Sequence, residues 1–336
     1  MTIKSVLVTG ASGFLGKEIV TQLLNRNYKV RAFVEKGTTA PVFDSNNIEI
    51  VFGDILDYPS IVKAIQGVEY VIHTASIYET IPWYIKHPKK IYEVNIGGVE
   101  NICNAALQEG VKKLIYASSL GTIGVDPNSA ADETFAFNLV SKRSHYEKSK
   151  ALAEKTALSF REKGLPVVSI NPGFLIGPGD RRPTPTGQII LNFLKRRFPC
   201  YFDAFFYYSD LSSAAKAHID VLDRDVSRER YILIANQQVS VKDFFHTLQK
   251  VSGIKAPLLK LPLKLVLFFS WLSEGLIGFF GLGQKIKPII PYEIARYFTL
   301  RASYNPKQAE SELGYKAASL EFALTQAVEW YRGAER

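Results

Sequence analysis

Three glycines at three-residue steps, Gly10, Gly13 and Gly16, fall where an apolar run passes into a helical pattern, and nothing else restricts the possible folds so tightly. The stretch Val6-Leu7-Val8-Thr9-Gly10-Ala11-Ser12-Gly13-Phe14-Leu15-Gly16 reads as strand, turn and helix start. In such a turn the first glycine makes the tight bend, the second lets the backbone approach a pyrophosphate, and the third lets the helix pack close to the sheet. Ser12, Phe14 and Leu15 then belong to a helix N-terminus whose free N–H groups and dipole favour an anion. Glycines also make plain turns, but the flanking strand and amphipathic helix supply the context of a dinucleotide site.

The surrounding pattern agrees. Short β-branched apolar runs at 5–9, 29–34, 48–52, 70–74, 113–117 and 166–171 alternate with helical patterns at 13–25, 58–65, 92–109 and 145–163. Gaps of this length suit right-handed crossovers, so an α/β fold with a doubly wound parallel sheet is expected. After Pro172 the texture changes, with Gly177-Pro178-Gly179, Pro183 to Gly187, and crowded aromatics from Phe198 to Tyr208. The expected division is 1–176, with a returning strand near 229–237, as a dinucleotide-binding domain, and 177–228 with 238–336 as a smaller, mostly helical substrate domain.

Bulk properties exclude several classes. With 336 residues, 47% hydrophobic and 22% charged, the chain can build a substantial core. Its two cysteines, Cys103 and Cys200, form no metal-ligand pattern or disulfide framework, and a reducing compartment is the simpler reading. The apolar start runs directly into Thr9-Gly10 without a basic leader, so the expected location is cytoplasmic. Net charge is +9, but the basic residues are scattered and carry no RNA-binding signature, which argues against nucleic acid as a partner. No metal is expected.

The end of the second strand selects the dinucleotide, because an acidic group bonds a ribose 2′-hydroxyl and repels a 2′-phosphate. Glu35 stands 19 positions beyond Gly16 and favours NAD, with Lys36 beside it leaving NADP possible. Gly53-Asp54-Ile55 after the third strand suits adenine contact or a surface turn.

Tyr146 and Lys150, four apart on one helical face, form either a solvated pair or an acid–base device in which the ammonium favours the phenolate. Two features support the second reading. Leu114-Ile115-Tyr116-Ala117-Ser118-Ser119 ends a strand in two hydroxyls at the sheet edge, where Ser119 can hold a substrate oxygen. Asn171-Pro172-Gly173 ends the next strand, where backbone groups of Pro172 and Gly173 either fix a nicotinamide amide or make a loop turn.

Together, TGASGFLG, the Gly53-Asp54 pair, the serine pair, the Tyr146/Lys150 spacing and NPG resemble the extended short-chain dehydrogenase/reductase superfamily of NAD-dependent epimerases and dehydratases. The resemblance implies a Rossmann-type sheet, Tyr146 as general acid/base, Lys150 as its electrostatic partner and ribose ligand, and Ser119 as the hydroxyl that orients the substrate oxygen. It also implies that His73, Ala75 and Asn95 lie along the cofactor. Gly177-Pro178-Gly179-Asp180, Pro183-Thr184-Pro185-Thr186-Gly187, Glu312-Leu313-Gly314-Tyr315 and Glu329-Trp330-Tyr331-Arg332 are similar to hopanoid-associated sugar epimerases, relatives of dihydroflavonol reductases and 3β-hydroxysteroid dehydrogenases. In such a relative Thr184, Thr186 and Gln188 face the substrate, and subunits pair through the helices at 92–109 and 145–163. Two departures stand out: members of this group usually carry arginine at the position of Glu35, and their V-D-D-V-A-x-x-H segment here reads Leu211 to His218 with Ser213 in place of an aspartate.

The expected activity is therefore hydride transfer to or from a secondary alcohol or ketone, as net redox or as epimerisation, on a sugar or lipid-like substrate. A dinucleotide-binding redox sensor without chemistry and a membrane-associated scaffold are the alternatives. Trp83 and the neighbouring aromatics suggest either a greasy pocket or ordinary core packing. The apolar stretch 258–282, charged only at Lys260, Lys264 and Glu274, is read as a buried helical hairpin or pocket wall, with peripheral membrane contact as the other reading.

Overall fold

The expected strands form because they are apolar runs, four of them buried at nearly every position and the two outer ones interrupted by Arg31 and Glu49. In the computed structural model, which describes residues 3–39, 41–79, 81–126, 128–283 and 288–334, they are β1 (Ser5–Thr9), β2 (Lys29–Glu35), β3 (Ile48–Gly53), β4 (Tyr70–His73), β5 (Lys113–Ala117) and β6 (Val167–Pro172). Four short strands follow, β7 (Phe174–Ile176), β8 (Cys200–Phe202), β9 (Phe205–Phe206) and β10 (Tyr208–Asp210). Then β11 (Arg230–Leu233) returns to pair with β6, ahead of β12 (Val239–Ser240) and β13 (Leu259–Leu261). The main sheet has seven parallel strands in the order β11-β6-β5-β4-β1-β2-β3. Its order reverses between β1 and β4, and ligands of such sheets bind beyond the carboxyl ends at that crevice.

The helices are α1 (Phe14–Asn25), α2 (Tyr58–Ile65), α3 (Lys89–Tyr92), α4 (Gly98–Gln108), α5 (His145–Ser159), α6 (Pro185–Leu194), α7 (Leu211–Asp223), α8 (Val241–Ser252), α9 (Leu263–Phe279), α10 (Tyr292–Tyr297), α11 (Lys307–Leu313) and α12 (Leu320–Ala334). One face of the sheet packs on α1, α7 and α11 through Ile19, Leu23, Ala214, Val221 and Leu313. The other packs on α2, α4 and α5 through Ile61, Ile102 and Ala153. A separate core joins α6, α8 and α12 through Phe193, Phe244, Leu248 and Leu324. Helices α7 and α11 thus lie on the sheet, although their residues follow the texture change at Pro172.

Two elements differ from their sequence reading. The helix expected at 92–109 is interrupted by a π-helical turn at Glu93–Gly97 between α3 and α4, a local widening common beside functional sites. The stretch 258–282 forms neither a hairpin nor a pocket wall: α9 is a single helix of 17 residues with only Val266, Ser270 and Glu274 buried. The reason is Glu274, whose carboxylate turns inward to accept the backbone N–H groups of Trp83 and Tyr292, leaving most of the large apolar side chains outside. Among the described residues no helix is long and apolar enough to cross a membrane.

Candidate active site

Gly10 takes φ +67°, a conformation L side chains rarely adopt, and a Cβ there would meet the Ala75 backbone nitrogen at 2.8 Å. A Cβ on Gly16 would stand 2.2 Å from the Gly10 carbonyl oxygen, so the helix can approach the strand only with glycine there. Gly13 caps α1 without any side-chain hydrogen bond, and the first turn carries no acidic residue. Helices α5, α6, α7 and α8 are instead capped by Ser144, Thr184, Asp210 and Ser240. The first N–H groups of α1 therefore remain available to an anion, which fits the pyrophosphate of a dinucleotide. They open into a cleft of about 920 Å³ at the carboxyl ends of β1, β4, β5 and β6, lined by Gly10, Ser12, Gly13, Phe14, Leu15 and Gly16. Glu35, Asp54, Ile55 and Ala75 continue this wall, and Asp54 bends its loop by accepting the Leu56 N–H at 2.9 Å.

Ser119, Tyr146 and Lys150 line the same cleft, with Pro172 and Gly173 beside them. The start of α5 is held by a capping box in which Ser144 accepts from the Glu147 N–H at 3.1 Å and Glu147 accepts from the Ser144 N–H at 2.9 Å. Glu147 also pairs at 2.8 Å with the fully buried Arg143, which fixes the turn carrying Tyr146. One turn on, Lys150 Nζ donates to the Ala117 carbonyl at 2.6 Å and sits 4.3 Å from the centre of the Tyr116 ring. Burial lowers its pKa to about 7, against the opposing pull of Glu154. Tyr146 differs from its sequence expectation: burial pushes its phenol above the usual value and Glu147 adds to the rise, while the Lys150 ammonium is engaged at Ala117. Ser119 accepts the Gly121 N–H at 3.2 Å, which orients its hydroxyl at the strand end.

Residues 6–200 match the model of the NAD dependent epimerase/dehydratase family. The chain belongs to that family. A Synechocystis protein named provisionally as a dihydroflavonol 4-reductase is 32% identical over 330 residues, 97% of this chain and 94% of its own. Sterol demethylase protein B of Methylococcus capsulatus is 28% identical, with 98% of each chain covered. Among solved structures, that of gox2253 superposes with a TM-score of 0.83 at 30% identity over 99% of both chains.

In this epimerase/dehydratase-family chain, several predicted residues support the cleft without lining it. His73 is buried behind it, hydrogen-bonded through Nδ1 to Thr9 Oγ1 at 2.6 Å, and burial lowers its pKa to about 3. Asn95, in the π-helical turn, clamps Ile77 by accepting its N–H at 2.8 Å and donating to its carbonyl at 3.1 Å. Lys36 lies outside the cleft, and so do Trp83, which stacks on Trp271, and Gln188, which donates to Asn192 at 3.2 Å. Thr184 and Thr186 do line it. Ser213, where the family pattern carries an aspartate, lies in the first turn of α7, which Asp210 caps by accepting the Ser213 N–H at 2.9 Å while also accepting the Ala318 N–H at 2.6 Å.

Other lining residues carried no sequence signal. Tyr78 meets the Tyr146 ring edge-on at 4.4 Å. Lys89, Lys90, Arg182, Glu293 and Tyr297 complete the far end. Glu293 is buried and accepts the N–H groups of Ile81 at 3.0 Å and His145 at 2.9 Å, joining α10 to both sides of the cleft. Its burial raises the pKa of the carboxyl.

Proposed function

We propose that this chain transfers a hydride between NAD and the carbinol or ketone carbon of an apolar alcohol, with Tyr146 moving the hydroxyl proton. The observation that carries the reading is the convergence of Ser119, Tyr146 and Lys150 on the cleft into which the uncapped N-terminus of α1 opens. When bound, NAD supplies the hydride donor and acceptor. The α1 amides would hold its pyrophosphate, and the Glu35 carboxylate would take a ribose hydroxyl and repel a 2′-phosphate. In the reducing direction Ser119 Oγ would steady the substrate oxygen and the Tyr146 phenol would give it a proton. Lys150, four residues along the same helix face, would turn from the Ala117 carbonyl to stabilise the phenolate that remains. In the reverse direction the Tyr146 phenolate would take the proton back.

The substrate reading rests on Ile77, Tyr78, Phe174, Leu175, Ile294 and Tyr297, which give the cleft an apolar wall beside the charged groups of Lys89, Lys90, Arg182 and Glu293. Replacing Tyr146 with Phe should lower turnover by ~10²–10⁴-fold while NAD affinity, read by titration calorimetry, stays near that of the parent. Full turnover in the variant would overturn the role. A panel pairing sterol and flavonoid alcohols with nucleotide sugars tests the substrate class, and preference for the sugars would overturn it. Absorbance of the purified protein in the reduced-nicotinamide band separates an epimerase that retains its dinucleotide from a net reductase.

A further inference from the structure

Helix α9 buries Val266, Ser270 and Glu274 and packs Leu263 and Leu267 against the core, yet most of its large apolar side chains face outward. Ser270 and Glu274 are buried, whereas Leu265, Phe268, Leu272, Leu276 and Phe279, which follow one another at three- and four-residue steps, are between 37% and 83% exposed. This spacing makes one continuous stripe along the helix. Phe269, Trp271 and Phe280 widen it. The exposed segment Trp83-Tyr84-Ile85 extends it further, since Trp83 stacks on Trp271 at 5.4 Å and donates from Nε1 to the Trp271 carbonyl at 3.0 Å. Tyr84 lies against α9 at Gly278, where a Cβ would meet its ring at 2.7 Å. A contiguous exposed patch of this kind marks an interaction surface.

The charges around the patch select its occupant. Among the described residues, Lys264 in the first turn of α9 and Lys86 on the adjoining segment are exposed beside the patch, with Lys260 paired to Asp203 before the helix and Lys89 and Lys90 leading into the cleft. Glu274, the acidic residue of α9, is buried and committed to two backbone N–H groups. Two copies of this face would bring like charges together on a chain that already carries +9. We propose that α9 and residues 83–85 dock on a lipid bilayer that carries anionic headgroups. The apolar stripe enters the acyl boundary, Trp83, Tyr84 and Trp271 sit at headgroup level, and Lys86 and Lys264 reach the phosphates. At 17 residues the helix is about 25 Å long and lies along the surface. The segment that contributes Ile77, Tyr78, Lys89 and Lys90 to the cleft thus passes through the docked face.

The test is flotation of the full chain, loaded with NAD, with phosphatidylcholine vesicles and with vesicles that also contain phosphatidylglycerol. Binding is expected to the anionic vesicles and to be at least about tenfold weaker to the zwitterionic ones. The exposed double variant Phe268→Glu with Phe279→Glu should lose at least about tenfold in partitioning while keeping its melting temperature and NAD affinity; Leu276→Gln should lose less. Those two controls keep this result independent of the catalytic reading, because a failure of hydride transfer leaves flotation unchanged. Absence of flotation, or equal flotation with both vesicle types, would overturn the proposal. So would a concentration-dependent dimer in sedimentation that the double variant abolishes, which would assign the face to a second copy.

Discussion

Asn171 Nδ2 donates a 2.6 Å hydrogen bond to Glu154 Oε1, tying the end of β6 to the helix that carries Tyr146 and Lys150. The same amide donates to Thr122 Oγ1 at 2.9 Å and to the Ser119 carbonyl at 3.3 Å. One buried side chain therefore spans the loop of Ser119 and the helix of the other two groups. Changing Asn171 to Ala leaves the Glu154 carboxylate with fewer donors and should cost ~1–3 kcal/mol of stability in urea unfolding. Looser placement of Ser119 should also lower kcat by about tenfold to a hundredfold, with a smaller change in KM. An unchanged kcat would show that the network serves stability alone.

Lys150 gives a pH prediction with a definite sign. Its pKa is about 7 in the fold, against 10.5 for an ordinary lysine, so between those values the unfolded chain binds the extra proton. Unfolding free energy from this residue should rise with pH across that window and be lost as pH falls through about 7. Lys150→Met removes the rise, so the parent should gain about 2 kcal/mol relative to the variant between about pH 7 and about pH 9. Parallel urea curves at both pH values would refute it.

Glu35 stands at the end of β2 on the cleft wall. Replacing it with Arg removes the carboxylate that repels a 2′-phosphate and adds a bidentate partner for one. Titration with both dinucleotides should show the ratio of NAD to NADP affinity falling at least about tenfold. A ratio that stays put would place the ribose away from β2.

His218 is wholly buried on α7, with Nδ1 bonded to the Ala214 carbonyl at 2.7 Å, and its pKa is lowered to about 4 by burial. The unfolded imidazole titrates near 6.5, so the stabilising effect of keeping it neutral is present above that value and lost as pH falls towards about 4. His218→Gln should flatten the parent's loss of stability between about pH 7.5 and about pH 5.5 by about 1 kcal/mol, measured by urea unfolding.

The sheet and the glycine turn were legible because buried parallel strands and a phosphate turn impose residue types at fixed steps. Gly10 and Gly16 are forced by close backbone approach, and Tyr146 and Lys150 by helical spacing. The far end of the cleft was not legible. Lys89, Lys90, Glu293 and Tyr297 come from short helices far apart in the chain, and their residue types recur at any surface. Strands β8, β9 and β10 have two or three residues each, too few for a period to be read. For α9 the apolar run was visible but its orientation was not, because Glu274 turns inward only when Trp83 and Tyr292 are there to receive it.

Glu293 fastens two walls of the cleft that were laid down much earlier in the chain, at Ile81 and at His145. During synthesis the residues of β1 to β6 and β11 leave the ribosome before it does, and domains fold as their segments emerge. A nascent chain can thus hold all seven strands of the sheet before Glu293 is present to join the two walls of the site.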